Sequence, residues 1–191
     1  MRAAYELSQK GDLFAAISQI EQLLKESPNF PPALCLLGDL FLQAGSPALA
    51  VDPLERAVDL SPEIVYSQFL LGCALGRLGN FSRAIHHLTI ADRHKPDNPE
   101  IIRNLGWMKC MSGDVMDGRA LLRQSIKLDP KNSLAYNDLG VSYMFTNDMR
   151  LDEAERWLRK ALTLDPENAF IQSTWASFKE LSAPFRKRGQ K

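Results

Sequence analysis

The sequence has no excess of either charge sign. Lys and Arg together number 23, as do Asp and Glu, so the formal net charge is zero. Proteins that bind nucleic acids usually carry a clear basic excess, because much of their affinity comes from neutralising phosphates. The composition therefore argues against a nucleic-acid partner.

Long apolar runs and frequent cysteines are also missing. No run approaches the roughly 20 residues that a membrane-spanning helix needs, and the first residues form no signal-peptide core. The three cysteines, Cys35, Cys73 and Cys110, are odd in number and include no C-x-x-C pair. This supports neither a disulfide framework nor a zinc ribbon. We expect reduced thiols, a cytoplasmic location and no membrane insertion.

Recognisable catalytic motifs are absent as well. The sequence contains no phosphate-binding loop, no zinc-protease motif and no nucleophile elbow. His86 and His87 have no Cys, Asp or Glu four residues away, the spacing at which a helix would place a second metal ligand beside them. We interpret both as solvated surface residues, and we expect no enzyme activity, cofactor or metal.

The sequence does contain prolines and glycines at regular intervals. Four prolines recur at intervals of 34 residues and a fifth follows after 36, namely Pro28, Pro62, Pro96, Pro130 and Pro166. Eight of the eleven glycines fall into two further series in the same register, Gly38, Gly72, Gly106 and Gly140, and Gly11, Gly45, Gly79 and Gly113. The first glycine series always follows a leucine. Such regular spacing predicts an internal repeat.

Each class of recurring residue has a physical role. A proline ends a helix because it cannot continue the hydrogen-bond ladder, and a glycine allows a turn after a helix at low steric cost. A glycine inside a helix costs about 1 kcal/mol relative to alanine, so its recurrence predicts close helix–helix approach. Between the breaks, Ala84, Leu88 and Ala91 form one apolar stripe at helical spacing. The repeat is therefore a helix pair.

The repeating pattern combines a Leu-Gly pair, a turn glycine, a stripe of Ala, Leu and Ala, and a closing proline. This pattern resembles the tetratricopeptide repeat. The resemblance implies an all-α, right-handed superhelical solenoid of antiparallel helix pairs with a C-terminal capping helix. It covers nearly the whole chain as one array, residues 1–183. The predicted segments are a truncated repeat 1–30, repeats 31–64, 65–98, 99–132 and 133–168, a capping helix 169–183 and a basic flexible tail 184–191.

Three departures from the family pattern, and the tail that follows the repeats, carry predictions. Gly118 replaces the usual alanine and should soften the second helix of its repeat. Pro53 lies inside a second helix and should distort it. Two extra residues around 147–150 should enlarge a turn. The tail that follows Pro184 is basic and could serve as an import signal or contact an acidic partner, although a frayed terminus is the preferred interpretation.

In this family the first helices of the pairs line a concave groove. The resemblance therefore implies a partner-binding groove whose members are Tyr66, Phe69, Cys73, Arg77, Arg103, Asn104, Trp107, Met111, Asn137, Asp138, Val141, Met144 and Phe145. Equivalent positions in the first two repeats add Arg2, Tyr5, Cys35, Leu36, Asp39 and Leu42. We expect Trp107 to be the centre of the site, although it could instead be wedged between first helices. Some relatives clamp a C-terminal carboxylate, but the asparagine that this clamp requires is missing here.

These observations predict a protein-interaction scaffold or adaptor that binds a peptide segment or helix of a partner in a partly aromatic groove. One alternative is a regulatory or targeting repeat domain of a larger enzyme or of a transport or secretion machine. A further alternative is a helical-repeat RNA binder, which the neutral charge disfavours. The partner and the oligomeric state are not specified by the sequence.

Overall fold

The computed structural model describes residues 1–145 and 150–188, and within these ranges the chain forms eleven helices and no strand. The all-helical prediction is therefore confirmed. The helices are α1 (Arg2–Gln9), α2 (Leu13–Glu26), α3 (Pro31–Gln43), α4 (Pro47–Leu60), α5 (Val65–Arg77), α6 (Phe81–His94), α7 (Pro99–Ser112), α8 (Val115–Leu128), α9 (Ser133–Ser142), α10 (Leu151–Leu164) and α11 (Ala169–Arg188). Each predicted repeat contains one consecutive pair.

The chain divides into two compact units, Met1–Pro96 and Asp97–Lys191, here called the N-terminal and C-terminal units. In the N-terminal unit, each of the helices α1–α5 packs against the next one, and α3 also contacts α5. One buried cluster joins the first two pairs through Ala4, Ala16, Ile20, Ala33, Leu37 and Leu40. The small residues let the helices approach, and the larger ones fill the space between them. That all the repeats form one continuous array stays a prediction.

The C-terminal unit is closed by α11, which contacts both α9 and α10. Ile171 and Phe178 of α11 are fully buried, and Trp175 stacks on Phe178 with ring centroids 5.3 Å apart. Phe178 shares a core with Leu139 and Leu158. This apolar face of α11 therefore packs on the last repeat, as a solenoid end requires.

The two glycine series have the predicted roles. Gly113 ends α7 with φ of +98°, and the N–H of Asp114 donates to the carbonyl of Lys109 at 2.9 Å, which closes a left-handed helix end. Gly38 lies inside α3, where an added Cβ would sit 2.3 Å from Cγ of Leu54 on α4. The cost of a helical glycine is therefore offset by close helix packing.

That Gly118 softens its helix stays a prediction. The helix α8 is continuous from Val115 to Leu128. An added Cβ at Gly118 would lie 2.5 Å from Sγ of Cys110 and 2.6 Å from the carbonyl oxygen of Gly106, both on α7. Glycine is present because there is no room there for the usual alanine.

Both internal prolines lie within continuous helices. The helix α4 runs through the buried Pro53 to Leu60, so Pro53 does not end it, and a bend there stays a prediction. The helix α11 continues past the predicted end at residue 183 to Arg188. Pro184 is exposed, so water can solvate the carbonyl that loses its donor. The predicted enlarged turn lies largely outside the described residues, as does the end of the basic tail.

Candidate partner-binding surface

The first helices α1 and α5 present aromatic side chains on one surface of the N-terminal unit. Tyr5 on α1 is 58% exposed and Tyr66 on α5 is 51% exposed. Phe69, one turn after Tyr66, is half-buried and stacks on it with ring centroids 6.4 Å apart. Aromatic side chains with an apolar body and a polar tip are typical of interface cores.

Tyr5 and Tyr66 flank an open cavity of about 550 Å³, a size usual for ligand sites. We call it the tyrosine cavity. It is lined by Met1, Arg2, Tyr5, Pro32, Cys35, Leu36, Asp39, Ile64 and Tyr66. All of these residues belong to the N-terminal unit, and most of the wall is apolar. A concave apolar surface with a few polar groups is the arrangement that binds peptides and small ligands.

Asp39 is the one acid in the wall of the cavity. The hydroxyl of Tyr66 donates to Oδ2 of Asp39 at 3.0 Å. No ion pair joins Asp39 to a cation in the part of the chain that the structure describes. The other charged side chain of the wall, Arg2, pairs with Glu6 at 3.1 Å. The carboxylate of Asp39 is therefore a negative charge that the cavity itself does not neutralise.

Cys35 forms part of the apolar wall. Burial raises the pKa of its thiol, and the nearby charge of Asp39 raises it further, although a hydrogen bond with Ser67 acts in the opposite direction. Cys35 is therefore a protonated thiol at neutral pH, with the character of a small apolar side chain. Cys73, the predicted groove residue on α5, is half-buried, and neither cysteine is part of a disulfide.

Arg77, also predicted to line the groove, has a structural contact. Its Nη1 donates to the carbonyl oxygen of Leu42 at 2.9 Å. Leu42 lies in the last turn of α3, where the carbonyls lack helical partners. Arg77 therefore fastens α5 to the end of α3.

In the C-terminal unit, five of the predicted groove residues remain at least partly accessible. Met111 and Phe145 are exposed, the latter by 74%. Trp107 and Arg103 are half-buried on α7. Val141 on α9 is half-buried and packs against the core that contains Phe178. Trp107 therefore presents part of its ring to solvent, as a binding residue must.

Four other predicted groove residues of this unit are buried, so their placement on an open surface is wrong. They are Asn104, Asn137, Asp138 and Met144. Asn104 donates from Nδ2 to the carbonyl of Glu100 at 2.9 Å, and Met144 lies in the core with Leu158. Their positions in the repeat match the family groove, but packing within the unit covers them.

Asp138 is held by a cation on the neighbouring first helix. Nη1 of Arg103 on α7 lies 2.6 Å from Oδ2 of Asp138 on α9, and their side chains are 17% and 8% exposed. Burial raises the pKa of Asp138, while the charge and hydrogen bond of Arg103 oppose that rise. Arg103 is therefore occupied in joining α7 to α9.

The interpretation of the two adjacent histidines as solvated is right for His86 and wrong for His87. His86 is exposed, but His87 is half-buried, and its Nδ1 lies 2.8 Å from Oε1 of the buried Gln68 on α5. Burial, together with the neighbouring charges of His86 and Arg83, lowers the pKa of His87. His87 thus joins α6 to α5 and is not simply solvated. Among residues 1–145 and 150–188, no three side chains of His, Cys, Asp or Glu form a group that could hold a metal ion.

Comparison with known proteins matches this architecture to one family. The family model described as tetratricopeptide repeat matches residues 1–63 and 112–169, which together are more than half of the chain. The chain belongs to the tetratricopeptide-repeat family. The repeats found in the sequence and the helix pairs of the structure agree with that membership.

The chain is similar to tetratricopeptide repeat protein 6 of Homo sapiens, with 23% identity over 82% of this chain and 36% of that protein. A thermophilic TPR protein of Thermus thermophilus superposes with a TM-score of 0.74 and 25% identity, covering 93% of this chain and 95% of that one. YrrB, described as a TPR protein with an unusual peptide-binding site, superposes with a TM-score of 0.69 and 20% identity, covering 91% and 88%.

The chain spans between 8% and 36% of the length of four curated relatives that it matches. Within the described part of the chain, none of the helices combines the length and the apolar character needed to cross a bilayer.

Proposed function

We propose that this chain is a protein-interaction scaffold, without catalytic activity, that holds a peptide segment or a helix of a partner protein. The observation that supports this most strongly is the tyrosine cavity on the first helices of the N-terminal unit. Tetratricopeptide-repeat proteins are in general protein-binding scaffolds, and the similar protein YrrB is described as having a peptide-binding site.

The walls of the cavity favour a peptide over a small polar ligand. Cys35, Leu36 and Ile64 provide apolar surface, while Tyr5 and Tyr66 are rigid rings that lose little entropy on contact. The unmatched carboxylate clamp argues against a C-terminal carboxylate as the main anchor. In the C-terminal unit, Trp107 and Met111 supply a second candidate surface for the same partner.

The three cysteines form no disulfide within the described residues, which supports a reducing compartment, so we propose a cytoplasmic location. The balanced charge supports a protein partner over a nucleic acid. Because the matched relatives are much longer than this chain, the same scaffold could act as the targeting or regulatory domain of a larger protein. The intact mass of the native protein distinguishes these two forms.

Peptide selection tests the proposal. A random dodecamer library displayed on phage is selected against the full chain, and the most enriched peptide is synthesised with a fluorophore. We expect its dissociation constant to rise at least tenfold in a Tyr5→Ala, Tyr66→Ala double variant. Phe14→Ala is the matched control, because Phe14 is 85% exposed on α2 and lies outside the cavity. Equal binding by both variants would contradict the proposal.

A further inference from the structure

The tyrosine cavity combines three features that together would add little to the binding of a purely apolar ligand. It has two exposed phenol rings, Tyr5 and Tyr66, and a deep apolar wall that includes the buried Cys35. It also has the carboxylate of Asp39, which no ion pair within the described residues neutralises. A partner must contact all three when it fills the cavity.

These features are complementary to a basic side chain. The methylenes of Lys or Arg can lie along the apolar wall, because long basic side chains bury their stems and keep the charged head near polar groups. Their charged head can reach the carboxylate of Asp39 and lie over a tyrosine ring, where cations are attracted to the negative face. An acidic side chain in the same place would be repelled by the like charge of Asp39.

The contact between Tyr66 and Asp39 prepares this arrangement. The phenol hydroxyl donates to Oδ2 of Asp39 at 3.0 Å, which fixes the carboxylate against α5 and leaves Oδ1 for a further donor. The charge of Asp39 also acts on the Cys35 thiol and raises its pKa, so the carboxylate lies close to the apolar wall. The basic side chain in the wall, Arg2, is 94% exposed and already paired with Glu6.

We propose that the tyrosine cavity receives a Lys or Arg side chain of the partner peptide, with its cation bound by Asp39 and the two tyrosines. This inference rests on the proposed function and specifies the chemistry of its ligand. It predicts that a basic residue next to an apolar one is the central feature of the peptides that the chain binds.

The test uses the enriched dodecamer from the library selection. Enriched peptides should share a Lys or Arg, and replacing that residue by its uncharged counterpart, citrulline for Arg or norleucine for Lys, should weaken binding to the wild-type chain about tenfold. In the Asp39→Asn variant the difference in affinity between the basic and the uncharged peptides should be much smaller than in the wild type. Glu63→Gln is the matched control, because Glu63 is an exposed acid of the same unit that does not line the cavity, and it should behave as the wild type.

Three results would overturn the inference. If the uncharged replacement weakens binding equally in the wild type and in Asp39→Asn, the cation is not bound by Asp39. If the chain alone sediments as a dimer that Asp39→Asn dissociates, the cavity belongs to a second copy of the chain. In contrast, enriched peptides that lack basic residues but lose binding in the Tyr5→Ala, Tyr66→Ala variant would leave the proposed function intact and contradict only this inference.

Discussion

Asp39 and Asp138 both stand on first helices, at positions that the family pattern places on its groove, but their surroundings differ. In the N-terminal unit, Asp39 accepts one hydrogen bond from Tyr66 and borders an open cavity. In the C-terminal unit, Asp138 is buried and paired at 2.6 Å with Arg103 of the neighbouring first helix. Two residues of the same type therefore serve different purposes.

The difference shows what decides whether a groove position is available for binding. Asp138 has a long basic side chain within reach on α7, while the basic side chain in the cavity wall, Arg2, is exposed and bonded to Glu6. A buried pair of this kind makes only a small net contribution to stability, because desolvation offsets the attraction. It does, however, remove both charges from any partner. We propose that the acid of the N-terminal unit binds a ligand, whereas the acid of the C-terminal unit is paired within the unit.

The largest expected effect concerns the closure of the C-terminal unit. Phe178→Ala should lower the free energy of unfolding by about 3–5 kcal/mol, because Phe178 is fully buried in the core below α11. Phe145→Ala in the same unit should cost less than about 0.5 kcal/mol, since that ring is exposed. Urea unfolding followed by circular dichroism measures both. Similar losses would mean that α11 does not close the unit as described.

A second test concerns how the two helices of a pair pack against each other in each unit. The repeats of the N-terminal unit have alanine at the position where the first repeat of the C-terminal unit has Gly118, and the second repeat of the C-terminal unit has Ala154 there. Gly118→Ala should destabilise the protein by about 1–3 kcal/mol, because the new Cβ would overlap Cys110 and the backbone of Gly106. Helix propensity alone predicts a gain of about 1 kcal/mol. Thermal unfolding that shows such a gain would contradict the packing account.

A substitution of Trp107 tests whether the C-terminal unit contributes to peptide binding. Trp107→Ala should weaken binding of the selected peptide at least tenfold, or about 1.4 kcal/mol, and change stability little, since the ring is only half-buried. A loss of roughly 3–5 kcal/mol in stability would instead assign Trp107 to packing. The melting temperature and the peptide affinity of the same variant separate these outcomes.

The smallest effect is the pH dependence that arises from Asp138. Because burial raises the pKa of Asp138, the native state binds more protons than the unfolded state between the ordinary and the raised pKa. The free energy of unfolding should therefore rise as the pH falls through the raised pKa, relative to the Asp138→Asn variant, and fall again as the pH increases. Unfolding curves at several pH values measure the difference. The opposite slope would show that Arg103 controls the pKa of Asp138.

The fold was predictable from the sequence because its determinants are local. Each turn glycine, each closing proline and each alanine–leucine stripe acts within a few residues, and 34-residue spacing repeats the signal. The burial of Asn137, Asp138 and Met144 was not predictable in the same way. It depends on contacts with Arg103 and with the core below α11, which lie far along the chain. The interpretation of His87 as solvated was wrong for the same reason.

The tyrosine cavity was only partly predictable. The family pattern placed Tyr5, Cys35, Leu36 and Asp39 on the groove, but it gave no reason to prefer them to Trp107. Their concave arrangement, and the absence of an ion pair to Asp39 among the described residues, emerge only from the packing of α1, α3 and α5. Exposure and charge balance are properties of that arrangement and not of any single position.

Mapping the bound peptide by nuclear magnetic resonance tests the central claim, that the first helices of the N-terminal unit form the binding surface. Titration of the selected peptide into labelled full-length chain should shift the amide and side-chain signals of Tyr5, Leu36 and Tyr66. The signals of the exposed Phe14 and Phe170, which lie outside the cavity, should stay in place. Shifts at Phe14 or Phe170, with Tyr5 and Tyr66 unchanged, would contradict the account.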